Sequence, residues 1–321
     1  MEEHNRPLFK AIQKRQLRRA IKAELTEERF VRKTYHANNV IYDITHQTSP
    51  HIMQEIGRLR EIAFRDAGGG TGQEVDIDEF DICPKPFRQL LVWSPRDREI
   101  ISGYRYILGE DLLITDGKVH SPVGELFNFS QEFIDNYLPY SIELGRSFVQ
   151  PKFQASRKGI FALDNIWDGL GAIIAQNPHI KYLYGKMTMY KNYNTLARDL
   201  ILFFLQKHFA PQKSLIMPIH AVPFSHDEQI LSSILTADNY ADDYKNLVRQ
   251  MTNLCCKIPP LVNIYMGLSS TMECYGTSDN PAFGEVEETA ILVKIADINP
   301  AKKIRYVDSY INGLKDNELT D

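Results

Sequence analysis

The chain has 321 residues, 43% hydrophobic and 24% charged, which suits a globular protein with a sizeable core and excludes a low-complexity or disordered chain. The formal net charge is −4, yet residues 1–40 carry ten Lys or Arg against five Glu; that is about +5 at one end and leaves about −9 elsewhere, an acidic remainder that argues against nucleic-acid binding. No run of 18 apolar residues is present, and the N-terminus lacks the apolar core and cleavage site of a secretory signal.

In chain order, Leu8, Ile12, Leu17, Ile21 and Leu25 alternate with Lys10, Lys14, Arg15, Arg18, Arg19 and Lys22, which predicts a basic amphipathic helix within a 1–40 extension. Such a helix rests on an anionic membrane surface or packs on its own domain. Residues 31–47 read as a short strand and a loop. Ile52, Ile56, Leu59, Ile62 and Ala63 after Pro50 predict a helix, which Gly68-Gly69-Gly70-Thr71-Gly72 ends. Strands follow over 88–94 and 99–108, joined by the turn sequence Ser94-Pro95-Arg96-Asp97.

The segment Ser141-Ile142-Glu143-Leu144-Gly145-Arg146-Ser147-Phe148-Val149 reads as a further strand and places two charges among apolar residues. A helix is predicted over 160–176, a strand over 180–189, a helix over 192–209 and a late strand within 285–297. Residues 210–260 read as a partly helical insertion. The pattern is α/β, with one domain over 41–321. The four cysteines, two of them adjacent at Cys255-Cys256, form no disulfide framework and suit a reducing compartment.

Several blocks, in order, resemble a known family. They are Leu59-Arg60 with Phe64, Asp78-Glu79-Phe80-Asp81, Gly103-Tyr104-Arg105, Glu143-Leu144-Gly145-Arg146, Ile258-Pro259-Pro260-Leu261 with Tyr265, and Phe283-Gly284. Together they look like the acyl-transferring branch of the Gcn5-related N-acyltransferase (GNAT) superfamily. The likeness is to bacterial enzymes, often labelled hemolysins, that N-acylate glycine or ornithine on the way to aminolipids. It extends more distantly to acyl-homoserine lactone synthases. The resemblance implies a mixed, mostly antiparallel central sheet flanked by helices. It implies transfer of a long-chain, in some members 3-hydroxylated, fatty acyl group from acyl carrier protein to a small amino acid. A later O-acyltransferase would esterify the product. No cofactor is expected to be tightly bound; the donor is the acyl-phosphopantetheine of the carrier protein, or acyl-coenzyme A. The expected location is cytoplasmic, with the basic extension on the inner membrane face or steering the acidic carrier protein.

Site expectations follow from the same resemblance. Glu143 is the expected general base, with Arg146 and Arg105 beside it. Residues three apart on a regular strand face opposite sides, so a direct Glu143–Arg146 pair requires a bulge, for which Gly145 is suited. Arg105 is an expected carboxylate clamp, with Arg60, Asp78 and Asp81 completing a polar set that serves substrate or structure. Phe64, Phe80 and Phe148 are expected against the acyl chain, whereas Trp167 reads as core. Tyr184, Tyr190 and Tyr193 are candidates to protonate the leaving thiolate. Arg157, Lys158 and Gly159 are expected to meet the donor phosphate at a helix start. The loop before them is glycine-poor, which favours a single phosphodiester over the diphosphate of coenzyme A. No spaced His or Cys set predicts a metal, and no Gly-x-Ser-x-Gly elbow predicts a serine nucleophile. The competing readings are a small-group acetyl-coenzyme A enzyme and a non-catalytic membrane-peripheral protein.

Overall fold

The computed structural model describes residues 10–154 and 157–318. Eight strands form one sheet: β1 (Phe30–Lys33), β2 (Val40–Ile44), β3 (Arg88–Ser94), β4 (Glu99–Leu108), β5 (Ser141–Val149), β6 (Tyr182–Met189), β7 (Glu273–Asn280) and β8 (Val286–Lys294). Their order is β1-β2-β3-β4-β5-β6-β8-β7. Neighbours are antiparallel except for β5 and β6. This is the mixed, mostly antiparallel sheet of a GNAT-like fold.

The parallel pair sets the architecture. β5 and β6 are joined from Ser141 opposite Tyr182 to Leu144 opposite Gly185. Past that point β5 stays with β4 as far as Val149, while β6 stays with β8 as far as Met189. The sheet therefore splits into two halves, and the wedge opens just beyond Glu143.

Helix α1 (Pro50–Ala67) covers one face. Ile52, Ile56, Leu59 and Ala63 share its buried stripe, and Pro50 fits the first turn, where its missing N–H is not needed. Gly68, at φ +99°, ends the helix in the left-handed conformation that glycine adopts without cost. Helix α2 (Arg157–Gln176) packs on the opposite face through Ala162, Ile166, Trp167 and Leu170. Helices α3 (Thr195–His208), α4 (Tyr240–Asn253) and α5 (Pro260–Met266) extend that layer, and 210–260 also holds the short helix Glu228–Ile234.

Three local expectations are corrected. Residues 31–47 contain two strands of a hairpin, β1 and β2, not one. The sequence reading omitted β7, because Glu273–Asn280 is rich in Gly, Ser, Asp and Asn; pairing with β8 overrides that weak propensity. Among the described residues the N-terminal helix is confined to Arg18–Glu24. Leu8 lies outside the described residues. Before Arg18, backbone groups are spent on the rest of the domain: Lys10 N–H on Gly72 O, Gln13 N–H on Glu74 O and Gln16 N–H on the Glu55 carboxylate. Ile21 is buried and Leu25 half-buried against α1, while Leu17 is exposed. The apolar positions thus do not form one membrane-facing stripe.

Candidate active site

A cavity of about 1180 Å³ occupies the wedge. Its lining includes Glu143 and Arg146 of β5, Lys186 and Thr188 of β6, Glu288 of β8 and Arg105 of β4. Phe64, Phe148 and Phe283 line the α1 side; Leu163, Trp167, Leu261 and Ile264 line the α2 side.

A bulge in β5 lets Glu143 and Arg146 both line the cavity, but among the described contacts they do not pair directly: Glu143 is bound by Val123 and Tyr184, and Arg146 lies on Asp76. Arg105 pairs with Gly145 and Gly103 with Phe148, so three steps on β5 match two on β4. Arg146 absorbs the extra residue at φ +52°, a region that costs a non-glycine side chain energy. The shifted alternation puts Phe148 on the same face as Glu143, toward α1.

Glu143 is buried. Its Oε1 accepts the Val123 N–H at 3.1 Å and its Oε2 accepts the Tyr184 hydroxyl at 2.6 Å. Burial raises its pKa, against the opposing bonds from Ser121, Tyr184 and Val123. A buried carboxylate raised in this way is better suited to take and return a proton than an exposed one.

The other charges form a closed network. Arg60 Nε donates to Asp76 at 2.9 Å, and its Nη1 and Nη2 donate to Asp81 at 3.3 and 3.1 Å. Arg105 Nη1 donates to both Asp78 oxygens at 2.6 Å and lies 3.2 Å from Asp81. Arg146 Nε lies 3.0 Å from Asp76, and its guanidinium sits 4.0 Å from the centre of the Phe283 ring. Asp78 and Asp81 also cap the one-turn helix Glu79–Ile82 reciprocally, which explains their spacing of three. Burial alone would raise Asp78; the guanidinium of Arg105, then those of Arg60 and Arg146, outweigh it and hold the carboxyl far below its usual range.

Most of the expected set therefore converges, with different tasks for some members. Arg60, Asp78 and Asp81 are bound to one another. Arg105 spends Nη1 on aspartates, and its buried Nε has no hydrogen-bond partner among the described residues. A Cβ at Gly145 would have this Nε as its nearest neighbour, at 4.0 Å. Phe64 and Phe148 line the cavity, while Phe80 packs against Phe87 behind it. Tyr190 lines the cavity, Tyr184 is committed to Glu143, and Tyr193 donates to Lys257 O. Gly159 lines the cavity near the start of α2, but the side chains of Arg157 and Lys158 fall outside the described residues. Trp167 is buried as core and also forms cavity wall. Sequence reasoning missed Asp76, Lys186 and Glu288. The first shares Asp78's alternation in Asp76-Ile77-Asp78, and the other two sit on strands whose pairing was not predictable.

Among the described residues no group of His, Cys, Asp and Glu could hold a metal ion. No helix among them is long and apolar enough to cross a membrane.

Comparison with known proteins places the chain among relatives. The family model described as acetyltransferase (GNAT) domain matches residues 59–162. A glycine N(alpha)-acyltransferase of Phocaeicola vulgatus is 47% identical over 315 residues, covering 97% of this chain and 94% of that protein. The enzyme of the same name from Bacteroides thetaiotaomicron is 47% identical over 320 residues, covering 98% and 93%. A solved CoA-dependent acyl-homoserine lactone synthase aligns over 84% of this chain and 94% of its own, at 14% identity and a TM-score of 0.37. Identity of this level along nearly the whole of both chains means that the protein belongs to the glycine N(alpha)-acyltransferase family and is an N-acyltransferase of the GNAT fold.

Proposed function

We propose that this enzyme transfers a long-chain fatty acyl group from an acyl carrier protein thioester to the amine of glycine. The observation that carries the reading is the cavity at the split between β5 and β6, where a buried carboxylate with a raised pKa meets an apolar wall on the α2 side. Glycine is the acceptor named for the two relatives at 47% identity.

In the proposed reaction Glu143 takes a proton from the glycine ammonium, directly or through water. The freed amine attacks the thioester carbonyl, forming the C–N bond. Arg105 Nε–H, without a partner beside Gly145, stabilises the developing oxyanion, and Arg146 adds positive charge nearby. The C–S bond then breaks, the proton on Glu143 neutralises the departing thiolate, and the second proton shed by the attacking nitrogen passes to water, which leaves a neutral amide N–H and a free carboxylate at Glu143. The acyl chain lies along Leu163, Trp167, Leu261 and Ile264, where each buried methylene contributes roughly 0.8 kcal/mol. Phe64 and Phe148 close the acceptor side.

The donor phosphate reaches the start of α2 at Gly159, where Lys302 and Arg305 also line the cavity. The exposed Lys14, Arg19 and Lys22 give the same protein a basic face suited to an acidic carrier in the cytoplasm, or to an anionic membrane surface that receives the product. The test is incubation with acyl carrier protein charged with C16 or acetyl groups, acetyl-coenzyme A, and glycine or ornithine, read by mass spectrometry. The expected product is N-palmitoylglycine. A clear preference for ornithine overturns the acceptor, and equal turnover of acetyl-coenzyme A overturns the donor.

A further inference from the structure

The amino-acid acceptor brings a carboxylate as well as an amine, and the three arginines of the site each already carry an aspartate partner. Arg60 is fully buried between Asp76 and Asp81. Arg105 Nη1 is held by Asp78 and Asp81, and Arg146 is stacked on Phe283 with its Nε on Asp76. Lys186 differs from all three.

Lys186 follows Gly185, the last residue of β6 paired with β5, so it is the first side chain past the split on the face that carries Tyr184. It lines the cavity with Glu143 and Glu288. Its ammonium donates to Pro122 O at 2.8 Å. Glu288 Oε1 stands 3.9 Å away, beyond hydrogen-bond reach, and that carboxylate already accepts from Thr188 at 3.0 Å and Asn280 at 3.3 Å. An ammonium has three donors. Among the described contacts one is used, so two remain on a cation that is only about a tenth exposed and faces a cavity. A buried charge in this state is stabilised by an anion that enters the cavity.

The electrostatics fit a zwitterion. Among the strand residues that line the cavity, Lys186 offers a positive group and Glu143 a carboxylate, one for each end of an amino acid. An α-amino acid with its carboxylate on Lys186 keeps its ammonium within a short reach of Glu143, the proposed base. Burial lowers the Lys186 pKa, and Glu288 and Glu143 oppose that shift, so an anionic partner favours the charged form. Resting on the proposed acceptor chemistry, we infer that Lys186 is the residue that binds the acceptor's carboxylate and so selects amino acids over other primary amines.

The test compares glycine with glycinamide, which keeps the amine and lacks the carboxylate, as acceptors for the wild type and for Lys186→Met. The wild type prefers glycine. In Lys186→Met, kcat/KM for glycine falls about 10²-fold, mostly through KM, glycinamide falls far less, and the preference collapses. An equal loss on both acceptors overturns the inference. So does a loss confined to kcat with a displaced pH profile, which makes Lys186 a proton carrier. If the single variant does not fold, Lys186→Met/Glu288→Gln removes both charges and carries the same comparison. Failure of the wild type to acylate glycine but not another amino acid rejects the acceptor proposed above and leaves the Lys186 comparison to be made with that amino acid and its amide.

Discussion

The Tyr184 hydroxyl donates to Glu143 Oε2 at 2.6 Å, across the last paired stretch between β5 and β6. The two residues are register partners, so the bond is fixed by the sheet itself. Burial raises the Glu143 pKa, and the Tyr184 bond is one of the contacts that restrain the rise. Tyr184→Phe removes that restraint. A base acts only when deprotonated, so the acidic limb of the kcat/KM profile moves to higher pH. A hydrogen bond to a charged group contributes about 1.5–3 kcal/mol, which corresponds to a shift of roughly one to two pH units. An unmoved limb in this variant separates Tyr184 from the proton transfer.

Glu143→Gln removes the base and keeps the volume. Turnover is expected to fall by about 10²-fold or more at neutral pH with the melting temperature little changed. The deficit shrinks at alkaline pH, where more glycine is already free of its proton. Near-normal turnover at pH 7 would falsify the assignment of Glu143 as base.

Arg60 and Arg146 share Asp76 but differ in exposure. Arg60→Met leaves Asp76 and Asp81 short of a partner in a fully buried site, which costs about 3–5 kcal/mol. Arg146→Met acts at the cavity wall, so it lowers turnover more than stability. Urea unfolding and steady-state kinetics on both variants check the contrast. A stable Arg60→Met protein with lost activity reverses it.

The Glu143 strand, the turn after Ser94 and the stripe of α1 were legible because each lies within a short window, whereas the split between β5 and β6 was not, since it depends on which distant segments pair. The bulge was legible only as a possibility at Gly145. The extra residue is Arg146, and nothing local marks an arginine for φ +52°. Lys186 is one polar residue in an ordinary alternating strand, and its significance comes from β5 ending its pairing one residue earlier. The N-terminal periodicity predicted a longer helix than forms, because periodicity does not show which backbone groups find partners elsewhere in the domain.

Acid stability follows from the aspartates. Burial would raise both Asp76 and Asp78, but neighbouring guanidinium groups, led by Arg146 for Asp76 and Arg105 for Asp78, hold each below its usual pKa. A depressed folded pKa contributes stability that is present above the unfolded value and lost as pH falls through the folded one. The melting temperature is therefore expected to decline below about pH 4, where unfolded aspartates take up protons. Glu143, Asp43, Glu125 and Asp168 are shifted upward by burial and work in the opposite direction. Despite burial, Glu99, Asp199 and Asp243 are held low by their hydrogen-bonding and cationic neighbours and add to the effect of Asp76 and Asp78. A thermal scan from pH 7 to pH 3 reads the balance, and a melting temperature that rises on acidification contradicts it.

The N-terminal segment supplies the last prediction. Glu24 Oε1 accepts the His51 N–H at 3.0 Å and its Oε2 accepts the Ile52 N–H at 2.8 Å, which satisfies two donors at the start of α1. The negative charge also complements that end of the helix. Arg18 Nη2 and Lys152 Nζ reach Glu99 at 2.9 and 3.0 Å, and Ile21 is buried against α1. Deleting residues 1–25 removes all of these except the Lys152 contact. A drop of several degrees in melting temperature is expected, since a lost helix cap costs about 0.5–2 kcal/mol and a lost buried Ile about 2–5 kcal/mol. Glu24→Gln and Ile21→Ala separate the two contributions, each with part of the loss. A deletion variant that melts like the full chain but no longer sediments with anionic vesicles assigns the segment to a membrane surface instead of to its own domain.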